Sequence, residues 1–257
     1  MSRDADGWLD RYLVDTSAPT VSSAARDLGV RVLIPMIVLL LINLAIGFGI
    51  VFLGGGLRSE DAVNVTLQAG RTPLLDSIAR LASAAGSAPS NIGACLVFMV
   101  VVGLVTRQWW VAIIPGVALA IEALVHAVTS VLVNRERPQV EHLDAAMPTA
   151  SFPSGHVGAT LAQVLVLLFL AHQLSGTLYR VALWIAALGS VVLLGWSRLY
   201  LGMHHLSDVA VGVLNGVAAA VLGWNYLRRS GRFRQPPDPL DATPAATDPV
   251  ADGFTHG

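Results

Sequence analysis

The chain has 257 residues, of which 54% are hydrophobic and 13% charged, with a formal net charge of −1. Soluble chains average about 25% charged residues, so an ordinary soluble domain is excluded. The net charge by itself says nothing about nucleic acid, but with no basic arm or aromatic-basic alternation no nucleic-acid partner is expected. All sixteen basic residues are arginines, and the single cysteine, Cys95, forms no intrachain disulfide.

A transmembrane helix needs about 20 predominantly apolar residues. Six segments qualify, at 31–54, 89–106, 110–134, 156–174, 180–197 and 207–227. The first is long, follows about 30 residues and lacks a clear small-x-small cleavage site, so it reads as a retained span. Residues 57–86 mix charged with apolar positions, among the latter Leu74, Leu75, Ile78, Leu81 and Ala82. They predict one short amphipathic helix on the extracytoplasmic membrane surface. The expected fold is therefore all-α: a polytopic bundle of six transmembrane helices plus that surface helix. Residues 1–30 form an expected cytoplasmic segment, 31–230 the membrane domain, and 231–257 a tail rich in Pro, Asp, Ala and Thr that is expected to be disordered.

Arginine placement orients the spans. Arg3, Arg11, Arg26, Arg31, Arg107, Arg180, Arg228, Arg229, Arg232 and Arg234 would share one side. Arg58, Arg71, Arg80, Arg135, Arg137 and Arg198 would share the other. The larger set predicts that both termini are cytoplasmic. The loop 135–155 and the turn 198–206 then meet on the extracytoplasmic side of a cell membrane.

Three polar clusters lie on that side, where ionisable groups are costly unless they function. Arg137-Pro138 follows the third span; a guanidinium binds phosphate oxygens as a planar fork. Pro153-Ser154-Gly155-His156 opens the fourth. There Ser154 caps a helix whose free N–H groups favour an anion, and Gly155 admits a phosphate to the backbone. His156 on the first turn exchanges a proton near neutral pH. Ser197-Arg198 precedes His204, His205 and Asp208. His204 and Asp208 are four apart and would be neighbours on a helix face, with the carboxylate holding one ring nitrogen while the other attacks. His205 is three from Asp208, so spacing alone leaves the choice between the histidines open. Two readings of other classes use the same residues: a metal site built from His156, His204, His205 and Asp208, and a transport or scaffold protein with these polar groups as its pathway.

The clusters resemble the signature of the type 2 phosphatidic acid phosphatase superfamily, the membrane lipid phosphate phosphatases. That signature is a lysine, six residues and Arg-Pro; then Pro-Ser-Gly-His; then Ser-Arg, five residues, His, three residues and Asp. The second and third blocks are present in full, and the resemblance spans about residues 30–230. It implies a hydrolase of lipid phosphate or diphosphate monoesters, working through a phosphohistidine with no cofactor or metal. By position, His204 would be the nucleophile, Asp208 its orienting carboxylate and His156 the general acid. Arg137, Ser154, Gly155 and Arg198 would bind the phosphate. Prenyl diphosphate, phosphatidic acid and phosphatidylglycerol phosphate are the substrates it suggests, the first slightly preferred. The oligomeric state is left open. One departure stands out: the signature lysine falls at Ser130. Ser130 and Arg135 are the auxiliary candidates, and a catalytically degenerate member is the alternative.

The third span carries a second anomaly. Glu122, His126 and Ser130 recur every four residues and form one polar stripe. Interhelical bonds to groups such as Gln163 or Asn215 are its plain explanation; a proton or headgroup-binding path beneath the site is the sharper one.

Overall fold

A computed structural model describes residues 19–53, 59–144, 150–174 and 177–227. The expected tail 231–257 and residues 1–18 lie outside the described residues. Ten helices follow in order among those described: α1 (Val21–Leu28), α2 (Ile34–Phe48), α3 (Asp61–Ala69), α4 (Pro73–Ala85), α5 (Ala88–Thr106), α6 (Trp109–Ala112), α7 (Ile114–Val133), α8 (Gly155–Leu174), α9 (Thr177–Tyr200) and α10 (Leu206–Trp224). Six stretches among the described residues are long and apolar enough to cross a membrane: Val21–Phe52, Ala88–Thr106, Trp109–Val133, Gly155–His172, Leu178–Tyr200 and Leu206–Trp224. The chain is thus an all-helical, multi-pass membrane protein.

Two boundaries differ from the sequence expectation. The first span begins about ten residues earlier, because Thr20 caps α1 by accepting from the Ser23 amide and π-helical turns at Gly29–Leu33 and Gly49–Leu53 continue the rod. Arg26, assigned to a pre-membrane segment, therefore rides on the helix itself. The surface segment is two helices, not one. Gly70 ends α3, and Thr72 with Pro73 restarts the chain as α4, the Thr72 hydroxyl accepting from the Leu75 amide.

The bundle is apolar outside and mixed inside, as a lipid solvent requires. Leu104, Val131, Leu178, Ile185 and Val192 are among the most exposed side chains. The α8 window is 61% buried against 11% for α5, which makes α8 the central helix, packed by α5, α7, α9 and α10. Small residues let the backbones approach without a hydrophobic drive between helices. A Cβ on Gly212 of α10 would lie 2.6 Å from the Ser154 carbonyl oxygen, and one on Gly216 would lie 2.7 Å from that of Gly158. At mid-depth, Asn43 and Asn215 exchange amide hydrogen bonds of 2.8 and 2.9 Å between α2 and α10.

Candidate active site

Four helix ends bring the polar clusters together. The α7 helix ends at Asn134, whose left-handed backbone (φ 47°) turns the chain and whose amide donates to the Ser130 carbonyl. This exit carries Arg135 and Arg137. The return strand of loop is tied by the Ser151 amide donating to the Arg135 carbonyl at 2.9 Å. The Ser154 amide then donates to the Asp208 carbonyl at 3.0 Å, which fixes the start of α8 against the start of α10. Between α9 and α10 the chain reverses at Gly202, whose φ of 75° suits glycine.

The helices α3 and α4 brace this reversal, a role that amphipathic patterning gave no means of finding. Asn64, fully buried, donates through Nδ2 to the carbonyls of Leu199 and His204 at 2.9 and 3.1 Å. Arg71 donates to the carbonyls of Tyr200 and Glu141, and the Tyr200 hydroxyl donates to Asp76.

The two adjacent histidines part company in space. His204 Nδ1 lies 2.7 Å from the Ser151 carbonyl oxygen, which only accepts, so Nδ1 carries the proton. Its Nε2 is thereby the basic nitrogen, and His204 lines a cavity of about 250 Å³ together with Arg137, Gly155, His156 and Arg198. Burial pushes the His204 imidazole down to about 4, with the neighbouring Arg198 and Arg137 charges acting in the same direction and Asp208 opposing them. The ring is neutral at neutral pH. His205 instead has Nε2 within 3.1 Å of Asp61 Oδ1 and Nδ1 within 3.2 Å of Asp208 Oδ2. Its amide also donates to Asp208 Oδ2 at 2.8 Å, closing the first turn of α10. Both of its ring nitrogens lie against carboxylates, and it does not line the cavity.

Asp208 sits where the i, i+4 spacing puts it, yet its shortest bonds go elsewhere. Its Oδ2 is 3.8 Å from His204 Nδ1 but accepts from the Ser151 hydroxyl at 2.5 Å. Its Oδ1 accepts from Arg135 Nη1 at 2.6 Å. The ring of His204 is held by the Ser151 backbone, and Asp208 holds Ser151. Arg135 is therefore directed at Asp208, with Ser207 Oγ at 2.6 Å and Glu60 at 3.8 Å, rather than at the cavity. Ser130, the other auxiliary candidate, is buried with no hydrogen-bond partner for Oγ among the described residues, and it too is absent from the cavity wall.

The two cavity arginines are anchored differently. Arg137 Nη1 donates to the Met203 carbonyl at 2.5 Å, linking it to the loop that carries His204. Burial lowers its guanidinium from the ordinary arginine value, with Asp208 and Asp144 opposing the shift. Arg198 Nη1 donates to Ser83 Oγ and, at 2.8 Å, to Asp144 Oδ2. Ser83 and Asp144 carry no motif signal; only their convergence on Arg198 marks them. Ser154 is fully buried at the entrance to α8, its hydroxyl without a partner among the described residues. Among the described residues, no three His, Cys, Asp or Glu side chains group as metal ligands.

The bundle of membrane-crossing helices thus carries a constellation of histidine, aspartate and arginine side chains at one end. The model of the PAP2 superfamily matches residues 111–232, the stretch that holds all three clusters. It is 29% identical over 131 residues to phosphatidylglycerophosphatase B of Bacillus subtilis, covering 50% of this chain and 64% of that protein's length. It is 29% identical over 176 residues to the decaprenylphosphoryl-5-phosphoribose phosphatase of Mycobacterium tuberculosis, covering 64% of this chain and 89% of that protein. In fold it resembles the crystal structure of a transmembrane PAP2 type phosphatidylglycerolphosphate phosphatase from Bacillus subtilis, with TM-score 0.67, 22% identity, and 77% and 98% of the two chains covered. LpxE of Aquifex aeolicus is a more distant likeness, at TM-score 0.50 and 21% identity over 63% of this chain and 92% of that one.

Proposed function

We propose that the protein is an integral membrane lipid phosphate phosphatase working through a phosphohistidine. The observation that carries this reading is the Nδ1–H bond from His204 to the Ser151 carbonyl, which leaves Nε2 as a neutral nucleophile facing a cavity with two guanidinium groups. The phosphoryl group enters with its oxygens on Arg137, Arg198, Ser154 and the Gly155 amide. His204 Nε2 attacks the terminal phosphorus, and its bond to the leaving oxygen (the alcohol oxygen of a monophosphate, the bridging oxygen of a diphosphate) breaks as His156 gives that oxygen its proton. Water then attacks the phosphohistidine, His156 takes the proton, and inorganic phosphate leaves. Two arginines and a helix N-terminus supply the charge stabilisation that phosphoryl transfer chiefly needs, so no metal takes part.

The substrate is a lipid phosphate or diphosphate monoester reached from the extracytoplasmic face, with both termini cytoplasmic. The relatives are named for phosphatidylglycerophosphate and for a decaprenylphosphoryl phosphoribose, and prenyl diphosphate and phosphatidic acid belong to the same chemical range. The second reading, a catalytically degenerate member, has one observation in its favour: the signature lysine position holds Ser130, a buried hydroxyl off the cavity wall. Phosphate release by the purified protein from a panel of these lipids, with and without chelator, tests both. Release that resists chelator and disappears in His204→Ala is the expected result. An inactive parent, or activity that His204→Ala retains, refutes the phosphohistidine reading.

A further inference from the structure

The cavity continues below the phosphate end into the membrane, between α5, α7 and α8. Its deeper wall is mostly apolar, with Ile92, Leu119, Ala123 and Ala159, yet Glu122 and His126 line it too. Glu122 is 2% exposed, and its Oε1 has no hydrogen-bond partner among the described residues; neither has His126 Nδ1. Leaving such atoms unpaired in an apolar setting is costly, which argues for a partner supplied from outside the protein.

Neither expected internal partner is hydrogen-bonded to Glu122 Oε1 or His126 Nδ1 among the described residues. Gln163 Nε2 donates to the Pro115 carbonyl, and Asn215 is paired with Asn43. Asn91, which also lines the cavity, donates to the carbonyls of Gly86 and Ser87 and bonds the Thr160 hydroxyl. Two glycines of α8 make the room that the stripe occupies. A Cβ on Gly155 would lie 2.9 Å from three atoms of the His126 ring, and one on Gly158 would lie 2.4 Å from Glu122 Oε1. A proton relay has no work to do here. The proton that His156 gives to the leaving oxygen returns to it from water in the second half of the cycle, so the acid needs no resupply.

We propose that Glu122 and His126 form a leaving-group subsite that hydrogen-bonds a free hydroxyl on the alcohol portion of the lipid, close to the ester oxygen. Nucleophile and leaving group lie in line on opposite sides of phosphorus. The alcohol released beside His156 therefore projects along α8, past Gly155 toward Gly158. Four residues of helix span roughly 6 Å, which sets Glu122 about that far beyond the level of His126. A polyol phosphate presents a hydroxyl within such a distance; a fully acylated glycerol or a bare alkyl chain presents none. The subsite thus selects lipid phosphates whose alcohol is a polyol, and this rests on the phosphatase reading above.

The test compares kcat/KM of the full-length protein for phosphatidylglycerophosphate, whose leaving alcohol carries a free hydroxyl, and for phosphatidic acid, whose leaving diacylglycerol carries none. The ratio of the two in one preparation is independent of the folded fraction, so imperfect folding of a variant does not obscure it. The parent should favour phosphatidylglycerophosphate, and Glu122→Ala should reduce the ratio about tenfold, the loss of one buried hydrogen bond to a carboxyl. Glu122→Gln, which keeps an acceptor and a donor, should retain most of it. A parent ratio of one or below overturns the proposal. So does a Glu122→Ala protein in which both rates fall together, because that is a packing effect. No release from either lipid overturns the phosphatase reading and the subsite with it.

Discussion

Replacing Asp208 with asparagine should damage the fold as well as the chemistry. Its carboxylate is fully buried and satisfies the Ser151 hydroxyl, the His205 amide and Arg135, the last at 2.6 Å. Arg135 is itself 3% exposed. Removing one partner of a buried ion pair costs about 3–5 kcal/mol, because the remaining charge is left uncompensated. Glu60, 3.8 Å from Arg135 Nη2, retains part of the compensation, so the lower end, about 3 kcal/mol, applies. Thermal unfolding in a fixed detergent, run beside phosphate release, reads both consequences. Arg135→Met alone should also destabilise, since it strands Asp208. The double variant should lose clearly less than the sum of the singles, by about 1 kcal/mol or more for groups in direct contact. Asp208→Asn with unchanged thermal stability and abolished activity would refute this reasoning. Asp208 would then act on His204 alone, as the spacing suggested, and not through Ser151.

Four further outcomes are expected. Because burial holds His204 at about 4, kcat/KM corrected for substrate ionisation should show no acid-side loss until pH falls to about 4, where the nucleophile protonates; a loss of rate on acidification near the ordinary histidine value would contradict the buried, neutral nucleophile. The same shift makes the unfolded chain bind more protons between about pH 6.5 and 4, so stability should decline as pH falls through that window. Ser130→Lys should lower KM by up to about tenfold through an added cation near the phosphate, or change the order of preferred lipids; an inactive parent revived by it would mark a degenerate site. Asp144→Asn removes a partly exposed carboxylate that shares Arg198 with Ser83, and inorganic phosphate should then inhibit about fivefold more tightly, with an unchanged inhibition constant counting against a shared guanidinium.

Much of this molecule is written locally in the chain. Apolar run length marks the six membrane crossings, since a bilayer imposes a length on any segment that spans it. The polar clusters announce themselves because charge at a helix end in that setting is expensive, and Pro-Ser-Gly-His is legible as a helix start whose free N–H groups favour an anion. What local pattern leaves undecided is which long-range partner each polar group takes. Spacing brings Asp208 beside both histidines and goes no further. The return of the 135–155 loop puts the Ser151 carbonyl on His204 and the Ser151 hydroxyl on Asp208, contacts that bridge 53 and 57 residues. The same return directs Arg135 to Asp208 and away from the cavity. The split of residues 57–86 into two helices, and the insertion of Asn64 beneath the His204 turn, likewise depend on a groove that exists only once α9 and α10 are assembled. Sequence by itself determined the crossings and the inventory of the site. Tertiary structure decided which histidine keeps a ring nitrogen available and which charges are already spent on one another, because a hydrogen bond is fixed by distance and direction in space, and those come from packing.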